Sequence, residues 1–319
     1  SPLLLLVLPL RSGGRVATDT MPSSSAYLAR HQHGKSRVRV GRVWRSPDGV
    51  NTFAEWQVAT TLISAMEHAY VDGSNEGMTA TDTQKNMCFY VAKQMQRPCS
   101  VEEYALALAR KFVAEYPLVS SAIVSVEQKP WQRASVRGGK PHNHGFAMTA
   151  FETRVAEVVV HRGGREEITS GFKDLRLCKT TQSGYEGYLR DKYTLLPETR
   201  ERLLASSITS SWQYNPSDHG SLQFDAQYEA IKSKMMDTFF GCPKKGVYSP
   251  SVQKTLYEMG EAVIESCRSV DWVLLNMPNL HFNPLSPVAS TFEHDVYFPT
   301  SEPHGTIEAV VKRKQRARL

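Results

Sequence analysis

Thr81 and Asp82 stand in the stretch Met78-Thr79-Ala80-Thr81-Asp82-Thr83-Gln84-Lys85-Asn86. A loop with Gly73 and Gly77 leads in, and an apolar-periodic run from Met87 to Val91 leads out. The Asp82 carboxylate can accept from backbone N–H groups that lack intrahelical partners, which is the chemistry of a helix N-cap. Thr81 then sits at a strand-to-helix junction, its hydroxyl near the positive end of the helix dipole. An anionic or acidic small molecule is favoured at such a place. A capped helix without any ligand accounts for the same residues, because Thr and Asp favour caps everywhere. His142 and His144 form a second pair with chemistry. On a strand both imidazoles share one face. Two His without a third ligand fall short of a metal site, so a structural role is expected.

The chain that must position these groups has 319 residues, enough for about two domains. It is 41% hydrophobic and 22% charged, the balance of a folded globular chain rather than a disordered one. The net charge is +6 and the pI about 9.0, compatible with nucleic acid, a membrane surface or a small anionic substrate, or with a plain solvated surface. Five cysteines, Cys88, Cys99, Cys178, Cys242 and Cys267, include no CxxC pair. An odd count without close pairs suits a reducing compartment and argues against a disulfide framework or zinc ribbon. No apolar run approaches the roughly 20 residues of a membrane-spanning helix.

In chain order, residues 1–25 read as an extension outside the fold and are expected to be disordered. Leu3 to Leu8 is a short apolar run of the signal-peptide kind, and Met21 reads as the true start. Val38, Val40 and Val43 alternate with Arg37, Arg39 and Arg42 as in a half-buried strand. Ser46-Pro47-Asp48-Gly49 is a turn by residue type, so residues 35–66 predict a long hairpin. A helix follows from Asp82 to about Gln96. Ser100-Val101-Glu102-Glu103 is a capping box opening a second helix, which Pro117 stops. Strands are predicted over Ala122–Val126, Gly145–Val160 and Glu167–Lys179. The order then recurs: strands at Ile208–Gln213 and Leu222–Ala226, and a helix over about Asp225–Phe240. A further helix has Ser249 as N-cap and Pro250 at its first position. Strands at Trp272–Leu275 and Ile307–Val311 finish the chain. Element order therefore suggests two tandem α+β units, 26–180 and 181–311, followed by a basic tail over 312–319.

Six motifs in order resemble the urate oxidase (uricase) family over about residues 27–319. They begin with His33-Gly34-Lys35 ahead of Arg37-Val38-Arg39-Val40, then Thr81-Asp82, then Gly139-Lys140-Pro141-His142-Asn143-His144-Gly145-Phe146. Tyr185-Glu186-Gly187-Tyr188-Leu189-Arg190-Asp191-Lys192-Tyr193-Thr194 follows, with Arg202 at the family's distance. Ser251-Val252-Gln253 and Pro278-Asn279-Leu280-His281 complete the set. The resemblance implies an α+β fold of tandem T-fold units, antiparallel sheets each backed by two helices. Sheets would pair between subunits into a barrel, and two barrels would stack into a homotetramer. It implies oxidation of urate by O2 and water to 5-hydroxyisourate and hydrogen peroxide, with no metal and no organic cofactor.

The same resemblance assigns the site. Lys35, Thr81 and His281 would form a proton relay, since a Thr hydroxyl needs a neighbour to pass protons through. Arg202 offers a planar fork for bidentate binding of a purine edge. Gln253 carries both a donor and an acceptor for a neighbouring edge. Tyr185 would stack on the ring, where the family usually has Phe. Asp82 and Val252 would add backbone contacts, Asn279 would hold O2 or water, and Ile307 would close the apolar side. Lys35 and Thr81 would come from one subunit and the clamp from its neighbour. The ending Ala317-Arg318-Leu319 resembles a peroxisomal address read by an import receptor. The competing classes are another T-fold enzyme acting on pterins or purines, and a non-catalytic purine-binding protein of the same fold. No nucleic-acid module and no membrane segment is visible.

Overall fold

The computed structural model describes residues 25–215, 219–285 and 295–314. The expectations for the leading segment and for the Ala317-Arg318-Leu319 ending fall outside them. The described elements are β1 His33–Trp44, β2 Thr52–Ser64, α1 Glu67–Val71, α2 Thr81–Gln94, α3 Val101–Glu115, β3 Val119–Gln128, β4 Trp131–Val136, β5 Lys140–Met148, β6 Thr153–His161 and β7 Glu166–Lys179. They continue with β8 Leu204–Tyr214, α4 Phe224–Phe240, α5 Val252–Ser266, β9 Val270–Asn276, β10 Asn279–Pro284, β11 Tyr297–Thr300 and β12 Glu308–Lys312. The fold is α+β with antiparallel sheets.

Ten strands form one sheet in the order β1-β2-β3-β6-β7-β8-β10-β11, with β9 also on β8 and β12 on β9. Strand β8 shares one edge between two partners. Its first residues pair with β10 at Ala205 and Ser206, and Thr209 to Tyr214 pair with β9. Strands β4 and β5 make a separate two-stranded sheet. Helix α2 packs on β1 and α3 on β3 and β6, while α5 covers β9 and β12 with α4 beside it.

The alternation that predicted the first hairpin is visible in its burial. Ala54, Trp56, Val58, Thr60 and Leu62 of β2 face the core, and the residues between them stay half-exposed. Trp56 stacks on Tyr104 of α3 at 4.4 Å, and Tyr104 donates to the Cys88 carbonyl of α2 at 2.8 Å. The capping box is present, with Ser100 Oγ accepting from Glu103 N and the Glu103 carboxylate accepting from Ser100 N. Beside it the buried Glu102 carboxylate accepts from Arg154 of β6 at 2.7 Å and Ser170 of β7 at 2.5 Å. Arg154 also reaches Asp225 of α4 at 2.6 Å, joining β6 and α3 to the later helix.

Three expectations are corrected. Gly145–Val160 is not one strand, because β5 and β6 belong to different sheets and are separated by residues 149–152. Leu222–Ala226 is not a strand; Phe224 opens α4, and its buried residues Phe224, Tyr228, Ile231, Met235 and Phe239 follow helical spacing. The cap of α5 is Ser251, not Ser249. Ser251 holds an extended conformation and its side chain accepts from Lys254 N at 3.1 Å. The Ser249 hydroxyl is engaged elsewhere.

Candidate active site

Two groups of the singled-out residues assemble. The first surrounds Arg202. Its backbone N donates to the Ser183 carbonyl at 2.9 Å, and its Nε lies 3.4 Å from Ser183 Oγ. The guanidinium carbon stands 5.4 Å from the Tyr185 ring centroid. Burial pulls Arg202 below the usual guanidinium range, yet an arginine remains charged. A desolvated cation of this kind interacts more strongly with an anion than one in water.

Tyr185 is held at both ends of its backbone by Thr199, at 2.7 and 3.1 Å, and its ring stacks on Tyr188 at 4.7 Å. Gly184 before it passes so close to the next segment that a Cβ would lie 2.8 Å from the Thr199 carbonyl and closer still to Tyr248. A side chain there would push Tyr185 out of place. Gly184 N donates to Ser249 O and Ser249 N to Gln182 O, each at 2.9 Å. That pairing carries the chain into α5, whose first turn presents Val252 and Gln253. N–H groups in a first turn lack intrahelical acceptors. Val252 is buried and Gln253 exposed.

Asn279 and His281 lie on β10, with Asn279 Nδ2 3.5 Å from His281 Nδ1. Asn279 N donates to Gly305 O at 3.0 Å and Met277 N to Ile307 O at 2.8 Å. Ile307 is half-buried and packs on the core. By register β10 lies beside the start of β8, just after Arg202. Arg202, Tyr185, Val252, Gln253, Asn279, His281 and Ile307 therefore gather around the α5 end of the sheet.

The second group surrounds Lys35. Strand β1 shifts register between Lys35, opposite Thr60, and Val38, opposite Val58, with Arg37 at φ 60° inside the bulge. Residues three apart normally point to opposite faces of a sheet. The extra residue restores Lys35 to the face of Val38 and Val40, against which α2 packs. Lys35 N donates to Thr60 Oγ1 at 3.4 Å, and Thr60 Oγ1 donates to the buried Gln84 of α2 at 2.8 Å. His33 Nε2 lies 2.9 Å from the Thr79 carbonyl. These bonds tie the entry of β1 to the entry of α2.

Asp82 is not the cap expected. Ala80 is, in an extended conformation and with no side-chain hydrogen bond, and Thr81 is already helical. Asp82 turns to its own helix, accepting from Lys85 at 2.5 Å and Asn86 at 2.9 Å. The Lys85 hydrogen bond and charge, with smaller help from Asn86 and Lys35, hold its carboxyl below the usual range. The first N–H groups of α2 thus receive no side-chain cap. An uncapped helix start is a better place for an anion than a capped one. Thr81 and Asp82 are exposed.

The two groups do not meet within one chain. Six strand spacings separate β1 from β10, about 29 Å across the sheet. They also differ in height. Lys35 lies in the row Thr60, Val124, Val158, Ile168, whereas Leu280 lies in the row Ala205, Cys178. Ile168 and Cys178 are ten residues apart on β7, a rise of about 33 Å. The groups occupy diagonally opposed corners.

A family model described as Uricase matches residues 31–159 and 168–308. The uricase of Arabidopsis thaliana is 46% identical over 294 residues, covering 88% of this chain and 94% of that protein. The chain belongs to the uricase family. The uricase of Oryctolagus cuniculus is 33% identical, covering 94% of this chain and 99% of that one. The crystal structure of uricase from Arthrobacter globiformis superposes with a TM-score of 0.82 at 29% identity, covering 91% of this chain and 96% of that one. The uricase match contains both corners.

His142 and His144 fall in β5, with ring centroids 4.5 Å apart. Among the described residues no three His, Cys, Asp or Glu side chains come together as a metal-holding group. Thr60, Gln84 and Ser183, which the motifs do not single out, support the two groups. Gln84 carried a signal. It shares the buried helical stripe with Cys88 and Val91, where a polar amide needs a partner.

Proposed function

We propose that the chain is a urate oxidase whose sites are completed between subunits. The reaction takes urate, O2 and water to 5-hydroxyisourate and hydrogen peroxide. Urate loses two electrons to O2 and gains a hydroxyl from water, so protons must move from the purine and water to reduced oxygen.

The clamp corner binds. Arg202 takes one edge of the planar purine anion through its fork, and Gln253 takes the neighbouring edge with donor and acceptor together. Tyr185 lies on the ring, the Val252 N–H adds a backbone contact, and Ile307 closes the apolar side. Asn279 faces the ring and holds O2 or water. The relay corner moves protons. Thr81 presents its hydroxyl at the uncapped start of α2 with the Asp82 backbone beside it, and protons pass through that hydroxyl between Lys35 and the His281 brought by the clamp corner of the other copy.

The observation that carries this reading is the diagonal separation of the corners. Lys35 and Thr81 need a clamp that their own chain holds out of reach, and a second copy supplies one. The tandem T-fold plan, with β1–β7 and α2–α3 in the unit 26–180 and β8–β12 with α4–α5 in 181–311, suits such pairing. The half-exposed face of β2 and the open edge of β1 favour a barrel shared by two chains and a tetramer of stacked barrels. We assign the tail ending Ala317-Arg318-Leu319 to a peroxisomal import receptor, a location suited to an enzyme that releases peroxide.

The test is loss of urate absorbance on adding the purified protein after metal stripping. Turnover is expected to survive chelation. Turnover lost in chelator and restored by zinc or copper would contradict the cofactor-free mechanism.

A further inference from the structure

Lys179 ends β7 with 8% of its surface exposed. In the alternation of that strand it follows Leu175 and Leu177 onto the core face. A lysine is almost never buried unless its charge is met. Its Nζ donates to Ser249 Oγ at 2.6 Å, to the Val247 carbonyl at 2.8 Å and to the Phe239 carbonyl at 3.4 Å. Three donors thus meet three acceptors. The Phe239 ring centroid lies 5.4 Å from the ammonium, and Phe239 is in the last turn of α4, where a cation is favoured. Burial pulls the ammonium below the usual lysine range, with the more distant Glu258 opposing.

None of these partners is a catalytic group, but Ser249 leads to the clamp. Ser249 Oγ also accepts from Thr255 Oγ1 in the first turn of α5 at 2.7 Å. The Ser249 backbone pairs with Gln182 and Gly184, on either side of Ser183. Ser183 in turn holds the Arg202 backbone and lies at its Nε, and Gly184 precedes Tyr185. One ammonium therefore sits behind the junction where the segments bearing Tyr185, Arg202 and Val252 meet.

We infer that Lys179 is a positioning residue for the substrate clamp, fixing Ser249 and through it the spacing between Arg202, Tyr185 and the start of α5. The inference rests on taking that corner as the urate-binding half of the site. The side chain type fits the task. A compact ammonium reaches three acceptors in different directions, whereas a planar guanidinium does not.

The test compares wild type with Lys179→Met and Ser249→Ala. Methionine keeps the apolar stem and removes the donors; alanine at 249 removes only the hydroxyl between Lys179 and Thr255. Lys179→Met is expected to raise KM for urate about tenfold while kcat changes less than about threefold, since the chemistry is untouched but the clamp is misaligned. Ser249→Ala should move KM the same way, about threefold. In both, amide hydrogen exchange at Gly184, Arg202 and Ser249 should quicken while Lys35 and Thr81 keep wild-type rates. A role in stability alone would lower the thermal midpoint and the active fraction without moving KM. Folded Lys179→Met with wild-type KM and wild-type exchange would overturn the inference. If that variant does not fold, unchanged KM and exchange in Ser249→Ala would overturn it. Wild type that neither binds nor consumes urate would instead remove the proposed function, and the exchange rates would still judge the positioning path.

Discussion

The clamp corner and the relay corner are built in opposite ways. Around Arg202 the backbone is crossed by bonds from Ser183, Gln182, Gly184, Thr199 and Ser249, and the cation is partly desolvated. Around Thr81 the supports lie behind the site, in Thr60, Gln84 and His33, while Thr81 and Asp82 themselves face solvent. In the proposed site, the clamp residues are assembled within one chain. The proposed relay is hydrogen-bonded from behind and has Thr81 and Asp82 open to solvent. Electrostatic binding and proton transfer both gain from exclusion of water, so the open side must be covered before chemistry begins. In the proposed shared site, the clamp of another copy covers it.

The largest effect should come from breaking the clamp corner. Arg202→Ala is expected to cost about 2–4 kcal/mol in kcat/KM, the loss of a charge-assisted bidentate contact, with the fold intact by circular dichroism. Arg202→Lys should recover little, because an ammonium lacks the planar fork. A lysine variant near wild-type activity would mean that Arg202 acts only as a point charge.

Breaking the supports behind Thr81 should be milder and should appear first as stability. Thr60→Val leaves the buried Gln84 carbonyl oxygen without its donor, at about 1–2 kcal/mol in denaturant unfolding. With Gln84→Leu added, the loss should be smaller than the sum of the two single losses. Additive losses would show that Thr60 and Gln84 support β1 and α2 separately.

Thiol labelling gives the smallest effect and sharpens the contrast in packing. Burial pushes the Cys88 thiol, behind Thr81 on α2, up to about 12, and its Sγ donates to the Gln84 carbonyl at 3.3 Å. Cys242, in the exposed loop after α4, is held below the usual thiol range by hydrogen bonds from the Lys244 and Lys245 backbone. A maleimide at neutral pH should modify Cys242 quickly and Cys88 only on unfolding. Equal rates would mean that α2 does not close over its core face.

Much of the frame was legible in the residues. Alternation marked β1, the Ser46–Gly49 turn marked the return into β2, the Ser100–Glu103 box fixed the start of α3, and the helix expected over about Asp225–Phe240 is α4. The errors have local causes. Residues 149–152 carry no glycine or proline, so nothing in the pattern marked where β5 leaves and β6 begins in another sheet. Leu222 and Phe224 alternate like a strand because they are the entry to a helix. Ser249 and Ser251 both suit a cap, and only the buried Lys179 decides between them by engaging Ser249. The candidate site was named one residue at a time, through motifs that resemble the family's. Its arrangement was not, because the bulge that turns Lys35 toward α2 and the distance between corners are properties of strand pairing. Lys179 had a signal, a charge at an inward position of an alternating strand, that became meaningful once its acceptors were known.

The central claim is that the relay of one chain works on urate held by the clamp of another. The direct test is to co-express differently tagged Thr81→Ala and Arg202→Ala chains, purify hybrids through both tags and follow urate loss. Each variant alone should be nearly inactive. Hybrids should regain activity, because some interfaces pair the intact Lys35–Thr81 corner of one chain with the intact Arg202–Gln253 corner of the other. Hybrids verified to hold both chains, yet no more active than either parent, would contradict a site shared between subunits.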